Sequence, residues 1–550
     1  MLRHRWFHWL TLIGAMAVLT LPNLGAHSLW DVDEGVNAEA AREMLEVGNW
    51  IKPTFNYELR TAKPAMLYWL QMTSYSLFGI DEWSARLPSV LASMLTVLLV
   101  YELGRNMFDR RIGLLSGLVL ASCIEFCVLS HSASPDAVLL ACLMLAFSSF
   151  WFGSVDGGRS WFIPFGIACG LATLTKGPIG LGLPGLIVLV YLLWNRELRK
   201  LWDTRLFWGL LAFLATAAPW YVLVTLETRG EWASTFFGRE NLTRFMTPME
   251  NHSGPIVYHI LGLFVFFAPW CIFLGGALWY GTARTRASRY TDPSERDSER
   301  TRRAYRLLIV WFAVWLSVFS VAATKLPNYV LPLYPAIAIL TACFAERWRK
   351  GEIAPPRWVM PTAIFGLALV GGVFSLGLLV AGGTIVLPKA RVLPGLSVLA
   401  WIGLVPLAGS AACVLVRRHR ERAIGTIVLT SIAFVSLVAA FAPVVLDAQK
   451  SPRALIESAG ASRPNDDVRL GSLYCFHPSM VFYAQREVKK LEGFEGLDDF
   501  LSLPLPVYVF VTETQWDELS SRVTTPTRVA ARHFDFLKNS RVVLVTNSPE

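Results

Sequence analysis

The sequence predicts an all-α polytopic membrane protein of about thirteen transmembrane helices, followed by a small α/β domain. Hydrophobic residues make up 54% of the 550 residues, and charged residues make up only 17%. A single soluble core of this length cannot bury so much apolar surface. Apolar runs of roughly twenty residues, long enough to cross about 30 Å of hydrocarbon, recur through residues 6–445. The chain therefore divides into a membrane part, 1–445, and a soluble part, 446–550, with alternating strand patterns.

Thirteen apolar segments are the predicted spans, and a fourteenth is set aside. The segment 64–80 is apolar, but counting it as a span would move every later Arg-rich loop to the other side of the membrane. We therefore expect it to lie at the interface. The predicted spans are 6–24, 87–107, 112–131, 137–153, 161–176, 178–194, 205–226, 255–281, 304–323, 328–346, 358–382, 393–416 and 423–445.

Basic residues predict the orientation of these spans. The loops that contain Arg159, the eight arginines of 284–306 and the other Arg and Lys clusters all fall on one side, which is then cytoplasmic. The amino terminus is also cytoplasmic, and the soluble part lies outside. In a Gram-negative bacterium this means a multi-pass inner-membrane protein with a periplasmic carboxy-terminal domain. The excess of 50 Lys and Arg over 41 Asp and Glu is then mainly a topological signal, and nucleic-acid binding loses its support.

The first outer segment, 25–86, contains a cluster of acidic residues. Asp31, Asp33 and Glu34 precede a helical pattern over 37–47 that has one apolar and one charged face, which predicts a helix at the membrane interface. Asp31 and Glu34 fit a capping box, and this would explain both without any chemistry. Asp33 is left as the candidate catalytic acid.

A second acid and several cations are predicted on the same outer face. Asp136 follows Ser134 and Pro135, so it either joins Asp33 in one site or only stabilises a helix start. Any of the lysines could instead snorkel or cap a helix end. Taken together, the cations of the outer face form a basic cluster for which phosphate is the expected anion. These cations are Lys63, Lys176, Lys325, Arg86, Arg239 and Arg244.

The outer segment 227–254 contains another amphipathic pattern. Within it, aromatic residues from Trp232 to Phe245 alternate with charged residues that include Glu240. This pattern predicts a helix in the headgroup layer, and the alternative is a lid without ligand contacts.

Several motifs resemble one family of membrane enzymes. They are L-W-D-V-D-E-G from Leu29, K-P at Lys63, A-R-L-P at Ala85, S-P-D at Ser134, T-K-G-P at Thr175, F-G-R-E-N-L-T-R-F at Phe237 and K-L-P-N-Y-V-L-P-L-Y-P at Lys325. In this order they resemble the GT-C membrane glycosyltransferases of the protein O-mannosyltransferase superfamily. The likeness is greatest to the aminoarabinose transferases that modify lipid A.

The resemblance implies an inverting transferase that moves 4-amino-4-deoxy-L-arabinose from undecaprenyl phosphate to lipid A phosphate at the periplasmic face. Such an activity would confer resistance to polymyxin and other cationic peptides. Asp33 would be the catalytic acid, with Asp136 beside it, and Lys63 would bind the donor phosphate. The cavity would also contain Lys176, Lys325, Arg86 and Tyr329 on the donor side, and Glu34, Arg239, Glu240 and Arg244 towards the acceptor.

Two other functions remain open at this stage. One is a protein O-mannosyltransferase or another polyprenyl-phosphate-sugar transferase, and the other is a lipid flippase or transporter. Transporters often contain matched broken helices, and the sequence shows no such pair. No cofactor is required by this reading. A divalent metal between Asp33 and Asp136 is compatible with it, although a lipid-phosphate donor has no pyrophosphate that demands one.

Overall fold

The structure is a computed structural model that describes residues 2–155, 161–203, 205–249, 252–286, 299–388, 391–458, 460 and 467–548. Arg159 and much of the loop 284–306, which contribute to the predicted orientation, lie outside the described residues.

The membrane part is built from α-helices, with one short hairpin on its outer side. The hairpin strands are β1 (Thr54–Phe55) and β2 (Glu58–Leu59). The α-helices are α1 (Leu2–Thr20), α2 (Asp33–Val47), α3 (Met66–Phe78), α4 (Glu82–Met107), α5 (Arg110–Ala121), α6 (Ile124–Ser130), α7 (Pro135–Val155), α8 (Phe162–Lys176), α9 (Ile179–Trp194), α10 (Arg205–Glu227), α11 (Glu231–Thr235), α12 (Arg244–Met246), α13 (Tyr258–Phe266), α14 (Leu274–Arg284), α15 (Glu299–Val321), α16 (Tyr334–Lys350), α17 (Val359–Ala381), α18 (Leu404–Val416) and α19 (Arg420–Asp447). Short 3-10 helices cover Leu198–Trp202, Trp270–Phe273, Pro327–Leu333 and Leu396–Gly403, and a π-helix covers Phe236–Thr243.

Each predicted span contains a helix or a pair of helices. Among the described residues, eight helices are long and apolar enough to cross a membrane. Two bent pairs raise the number to ten if each pair is one span: α5 with α6, bent by 69°, and α13 with the helical stretch 270–284, bent by 116°. Helices α1, α8 and α9 correspond to the other three predicted spans and are shorter or less apolar. The all-α, multi-pass architecture is confirmed, and the count of thirteen stays a prediction.

Small residues let neighbouring helices approach closely. A Cβ atom added at Gly166 of α8 would lie 2.0 Å from the carbonyl oxygen of Gly209 in α10. Backbone contact of this kind is a common way of packing helices in lipid, where apolar side chains gain little from leaving the solvent. Large aromatic residues fill the wider gaps, and Trp151, Trp311 and Trp315 are fully buried.

The segment 64–80 forms α3, which has 13 residues. At 1.5 Å per residue this helix is about 20 Å long, too short for about 30 Å of hydrocarbon. Its length agrees with the expectation that it does not span the membrane.

Helix α2 differs from the predicted interfacial helix. Over residues 34–44, both of its faces are covered by protein, because the charged residues Glu39, Arg42 and Glu43 are at most 4% exposed. Its last turn, with Glu46, is exposed. Arg42 forms a bidentate pair with Glu39, and Glu43 accepts a hydrogen bond from the backbone of Tyr57 in the hairpin turn. The expectation of a charged face in the headgroup layer is therefore wrong. The alternation of charges predicts an exposed face, whereas most of these charges pair with one another beneath the hairpin and the carboxy-terminal domain.

The carboxy-terminal part is an α/β domain, as the sequence predicts. Its strands are β3 (Arg469–Leu473), β4 (Val488–Leu491), β5 (Val507–Thr512), β6 (Arg528–Asp535) and β7 (Ser540–Thr546), and its helices are α20 (Pro452–Ser458), α21 (Pro478–Ala484), α22 (Gly493–Leu501) and α23 (Glu513–Leu519). The strand order is β4-β3-β5-β7-β6. Strand β3 is parallel to β4 and β5, and β7 is antiparallel to β5 and β6. Helix α21 faces α2 of the membrane part.

Candidate active site

A cavity of about 210 Å³ opens among the ends of α7, α8 and α15 and the segment 236–245. We call it the cation cavity, because three cations line it. Its charged lining residues are Lys63, Asp136, Lys176, Glu240 and Arg244. Apolar side chains and a few neutral polar ones complete the wall.

Two of the three cations already have a carboxylate partner. Lys176 lies 2.5 Å from Asp136, and Arg244 lies 3.2 Å from Glu240. Within the described part of the chain, no carboxylate lies within salt-bridge distance of the third cation, Lys63. The cavity therefore has a net positive charge, which suits an anionic ligand.

Residues of three elements position the Asp136 carboxylate in the cavity. It lies in the first turn of α7, accepts a hydrogen bond from Lys176 at the end of α8 and accepts a second, of 3.1 Å, from Asn328. Pro135 begins the helix, as the sequence predicts, whereas the buried Ser134 hydroxyl has no hydrogen-bond partner among the described residues. The carboxylate therefore does more than stabilise a helix start, because it orients Lys176 beside the Tyr329 ring, 5.5 Å from its centre.

The environment of Lys63 lowers the pKa of its ammonium group. Burial lowers the pKa of Lys63, the positive charges of Lys176 and Arg60 lower it further, and Asp33 opposes them, giving a pKa of about 8. A bound phosphate would supply the missing negative charge and restore the protonated form.

A second cavity, of about 370 Å³, lies beside the first residues of α2. Asp33 and Glu34 line it together with His27 and His131, and its apolar side is formed by α6 and the end of α19. We call it the outer groove. Asp33 is exposed in it, and the carboxylate is also close enough to influence the charge on Lys63. The candidate catalytic acid thus lies between the outer groove and the cation cavity.

Glu34 and Arg86 form a buried ion pair. Arg86 contacts both carboxylate oxygens, at 2.9 and 2.8 Å, and also donates to the carbonyls of Leu24, His27 and Ser28. Burial alone would raise the pKa of Glu34, but the Arg86 charge and hydrogen bonds from Trp30 and Ala133 outweigh it and lower the pKa to about 2. Arg86 is fully buried and does not line the cation cavity, so the structure gives it a structural role instead of the predicted contact with phosphate.

Lys325 caps a helix instead of facing the cation cavity. Its ammonium group donates to the carbonyls of Phe319, Ser320 and Ala322 at the end of α15, at 2.6–3.0 Å. These bonds use its three protons, so the capping alternative fits Lys325 and the phosphate contact does not. Its neighbour Asn328 was missed in the sequence, although it lies in the same motif and contacts Asp136.

Asp31 does not form the predicted capping box. Helix α2 begins at Asp33 without a side-chain cap, and the Asp31 carboxylate instead accepts hydrogen bonds from the backbone and hydroxyl of Ser479 in the carboxy-terminal domain. The D-x-x-E spacing fits a capping box, but a partner 448 residues away takes its place.

The segment after α10 is folded over the cation cavity. Trp232 and Phe236 are buried and stack on each other, whereas Phe245 is exposed and lines the cavity together with Phe236. The segment covers the cavity as a lid would, but it also lines the cavity, so it differs from the lid without ligand contacts that the sequence left open. Its position in the headgroup layer stays a prediction. Arg239 is 70% exposed, lies 4.0 Å from Glu240 and does not line the cavity.

The described residues contain no group of three or more His, Cys, Asp or Glu side chains that could hold a metal ion. Asp33 and Asp136, the pair considered for a divalent ion, line different cavities. Asp136 already has Lys176 as its counter-ion.

The fold is similar to that of a solved protein bound to undecaprenyl phosphate. The structure superposes on the crystal structure of ArnT from Cupriavidus metallidurans bound to undecaprenyl phosphate, with a TM-score of 0.81, 24% identity and 98% coverage of both chains. Residues 62–222 match the family described as dolichyl-phosphate-mannose-protein mannosyltransferase. The predicted resemblance is confirmed.

Several curated proteins with similar sequences are named as aminoarabinose transferases, the enzymes that the motifs resemble. An undecaprenyl phosphate-alpha-4-amino-4-deoxy-L-arabinose arabinosyl transferase of Erwinia tasmaniensis is 33% identical over 337 residues, which is 59% of this chain and 57% of that protein. The protein of that name in Pseudomonas aeruginosa (strain UCBPP-PA14) is 30% identical over 357 residues, or 62% and 61% of the two chains. The matched region thus spans about three fifths of these relatives.

Proposed function

We propose that the protein transfers 4-amino-4-deoxy-L-arabinose from undecaprenyl phosphate to a phosphate of lipid A. The observation that carries this proposal is Lys63, which has no carboxylate partner among the described residues, in a net positive cavity, together with the exposed Asp33, whose charge reaches Lys63. The sugar and its carrier are those for which the relatives are named. Modification of lipid A would lower the negative charge of the cell surface and weaken the binding of polymyxin.

The chemistry of the transfer accounts for the cations. The bond between the anomeric carbon and the donor phosphate oxygen breaks, and undecaprenyl phosphate leaves with the electron pair. The leaving group changes from a diester to a monoester and gains up to one negative charge. A cation beside it stabilises the transition state more than the ground state, which is the requirement for catalysis. Lys63 fits this role, and Lys176 and Tyr329 complete the wall around the phosphate.

The acceptor needs little activation if it is a phosphate monoester. Its second pKa is near 6, so it is largely a dianion at neutral pH and can attack the anomeric carbon without a general base. Asp33 would then balance the positive charge that develops on the sugar ring, or hold the sugar amine. The outer groove, with apolar walls from α6 and α19, would receive an acyl chain of the acceptor.

One assay tests the proposal directly. The purified protein is incubated with the undecaprenyl-phosphate-linked aminoarabinose and lipid A, and mass spectrometry is used to detect lipid A that has gained the mass of one pentosamine.

A second candidate function follows from the family match at residues 62–222. It is a protein O-mannosyltransferase or another polyprenyl-phosphate-sugar transferase. Identification of the undecaprenyl-linked sugar that accumulates in a deletion strain separates the two.

The proposal includes thirteen spans in the bacterial inner membrane, a cytoplasmic amino terminus and a periplasmic carboxy-terminal domain. We expect a reporter that is active only outside the cytoplasm to work when fused after Leu446 or within 228–253, and to fail within 284–303. The physical reason is the concentration of arginine in the loop 284–303, since loops rich in arginine stay on the cytoplasmic side. Activity of the fusion within 284–303 would contradict this orientation.

Lys63→Ala should weaken donor binding by about tenfold or more, since a charge-assisted hydrogen bond to phosphate contributes about 1.5–3 kcal/mol. Binding should also depend on pH. Lysine is charged below its pKa, which is about 8 here, so affinity for undecaprenyl phosphate should be full below pH 8 and fall above it.

Titration of undecaprenyl phosphate into the purified protein between pH 6.5 and 9.5 measures both effects. The control is Lys63→Arg, whose guanidinium stays charged, so its affinity should not fall over this range. If the affinity of the wild type and that of Lys63→Arg depended on pH in the same way, Lys63 would not be the residue that binds the phosphate.

A further inference from the structure

The position of Asp33 depends on the residues on either side of it. Its carboxylate is exposed at the first residue of α2, so the surrounding backbone determines where it points. On one side, Glu34 is tied to the membrane part through Arg86 and the backbone of Ala133. On the other side, Asp31 is tied to the carboxy-terminal domain.

The contact of Asp31 is short and buried. Its two carboxylate oxygens accept hydrogen bonds of 2.7 Å from the Ser479 backbone and 2.6 Å from the Ser479 hydroxyl, at the start of α21. The Asp31 side chain is only 2% exposed. A buried carboxylate that lost these donors would keep the full cost of its desolvation, so the contact resists separation.

The carboxy-terminal domain holds Ser479 and its neighbours in turn. His477 lies 3.9 Å from Asp31 and 3.3 Å from Asp535 at the end of β6. Asp535 also accepts a hydrogen bond of 2.6 Å from the Ser451 hydroxyl. These polar groups are all nearly buried, so they form a fixed frame behind the serine.

The backbone of α2 approaches the same point. A Cβ atom at Gly35 would lie 2.6 Å from the Ser479 nitrogen and 2.9 Å from an Asp31 carboxylate oxygen. Only glycine permits this approach between the two helices without a shift of one of them.

The segment before Asp31 is held from the same side. Lys450 donates to the carbonyls of Ser28 and Leu29, at 2.8 and 3.2 Å, and its ammonium lies 4.3 Å from the centre of the Trp30 ring. The Tyr483 hydroxyl accepts a hydrogen bond of 2.7 Å from the Leu29 nitrogen. Residues after α19 therefore contact all four of the consecutive residues 28–31, which lead to Asp33.

We propose that the carboxy-terminal domain positions the catalytic carboxylate, with Asp31 and Ser479 as the positioning residues. This inference rests on the proposed function, since it assumes that Asp33 acts on the sugar. Asp31 and Ser479 do not touch substrate. They fix the backbone on the amino side of Asp33, as Glu34 and Arg86 fix it on the other side.

The test compares Ser479→Ala with Ser502→Ala in the full-length protein. Ser479→Ala removes one hydroxyl and keeps the backbone donor, so we expect kcat for sugar transfer to fall about tenfold, as expected for one charge-assisted hydrogen bond. The KM for the donor should change by less than about twofold, because the cation cavity is untouched. Ser502 is exposed in the same domain, and Ser502→Ala should keep the wild-type kcat and KM.

Two further variants separate positioning from folding. Ser479→Thr retains a hydroxyl and should recover most of the kcat, whereas Gly35→Ala should lower kcat at least as much as Ser479→Ala, with the protein still present in the membrane. A fall in donor affinity or protein level that accounts for the lost rate, or a Ser479→Ala variant as active as Ser502→Ala, would overturn the positioning role. Absence of any transfer by the wild-type protein would instead overturn the proposed function, and the positioning role with it.

Discussion

Asp33→Asn should lower the rate of sugar transfer by at least two orders of magnitude, which corresponds to about 2.7 kcal/mol of transition-state stabilisation. Asparagine keeps the size of the side chain and its reach for hydrogen bonds, and it removes the charge that the proposed mechanism uses to balance the developing positive charge on the sugar. Protein level should not change, because Asp33 is exposed in the outer groove. Transfer is measured by mass spectrometry of lipid A.

The control is Glu58→Gln. Glu58 is an exposed acid in the hairpin of the same outer segment, and its loss should leave the rate within about twofold of the wild type. Asp31, the nearest aspartate in the sequence, is unsuitable as a control because it binds Ser479. Equal losses for Asp33→Asn and Glu58→Gln would show that the outer surface responds to charge in general, and Asp136 would then be the next candidate acid.

Glu34→Gln should destabilise the folded protein by about 3–5 kcal/mol, because it leaves the fully buried Arg86 without its counter-ion. The expected sign of the pH dependence follows from the pKa. Since the pKa of Glu34 is lowered to about 2, its contribution to stability is present above the ordinary glutamate pKa near 4.3 and is lost as the pH falls towards 2. Thermal unfolding of the purified protein in detergent measures both effects.

Glu457→Gln is the matched control for this ion pair. Glu457 pairs with Arg453 on an exposed surface, where such a pair contributes about 0–1 kcal/mol. Combining Glu34→Leu with Arg86→Leu should recover part of the stability that Glu34→Gln loses, since no charge is then left buried and unpaired. A Glu34→Gln variant as stable as Glu457→Gln would show that Arg86 finds enough partners in the three backbone carbonyls.

The helices of the membrane part could be predicted because hydropathy is a local property. Every predicted span contains a helix, and 64–80 was set aside because of the arginines in later loops. The face of α2 could not be predicted in this way. Its charges at Glu39, Arg42 and Glu43 have the spacing of a solvated face, and they are buried only because the hairpin and a distant domain cover them.

The candidate site was predicted in part. Lys63, Asp136, Lys176 and Tyr329 do line one cavity, as expected from their place at the outer helix ends. Arg86 and Lys325 have the same kind of local sequence, but other partners use their protons: the distant Glu34 for Arg86, and the end of the preceding helix α15 for Lys325. A lysine before a helix break has the same sequence whether it binds a carbonyl or a ligand, so only the distances to Phe319, Ser320 and Ala322 distinguish the two roles for Lys325.

The hydrogen bond between Asp31 and Ser479 also bears on how the chain matures during synthesis. A ribosome that has made the first nineteen helices has produced the residues of both cavities, but not Ser479, Tyr483 or Asp535. The loop that contains Asp33 can reach its final geometry only after Ser479, Tyr483 and Asp535 have emerged and folded. Under the proposed function, a nascent chain that is already inserted in the bilayer but lacks these residues would not yet transfer sugar.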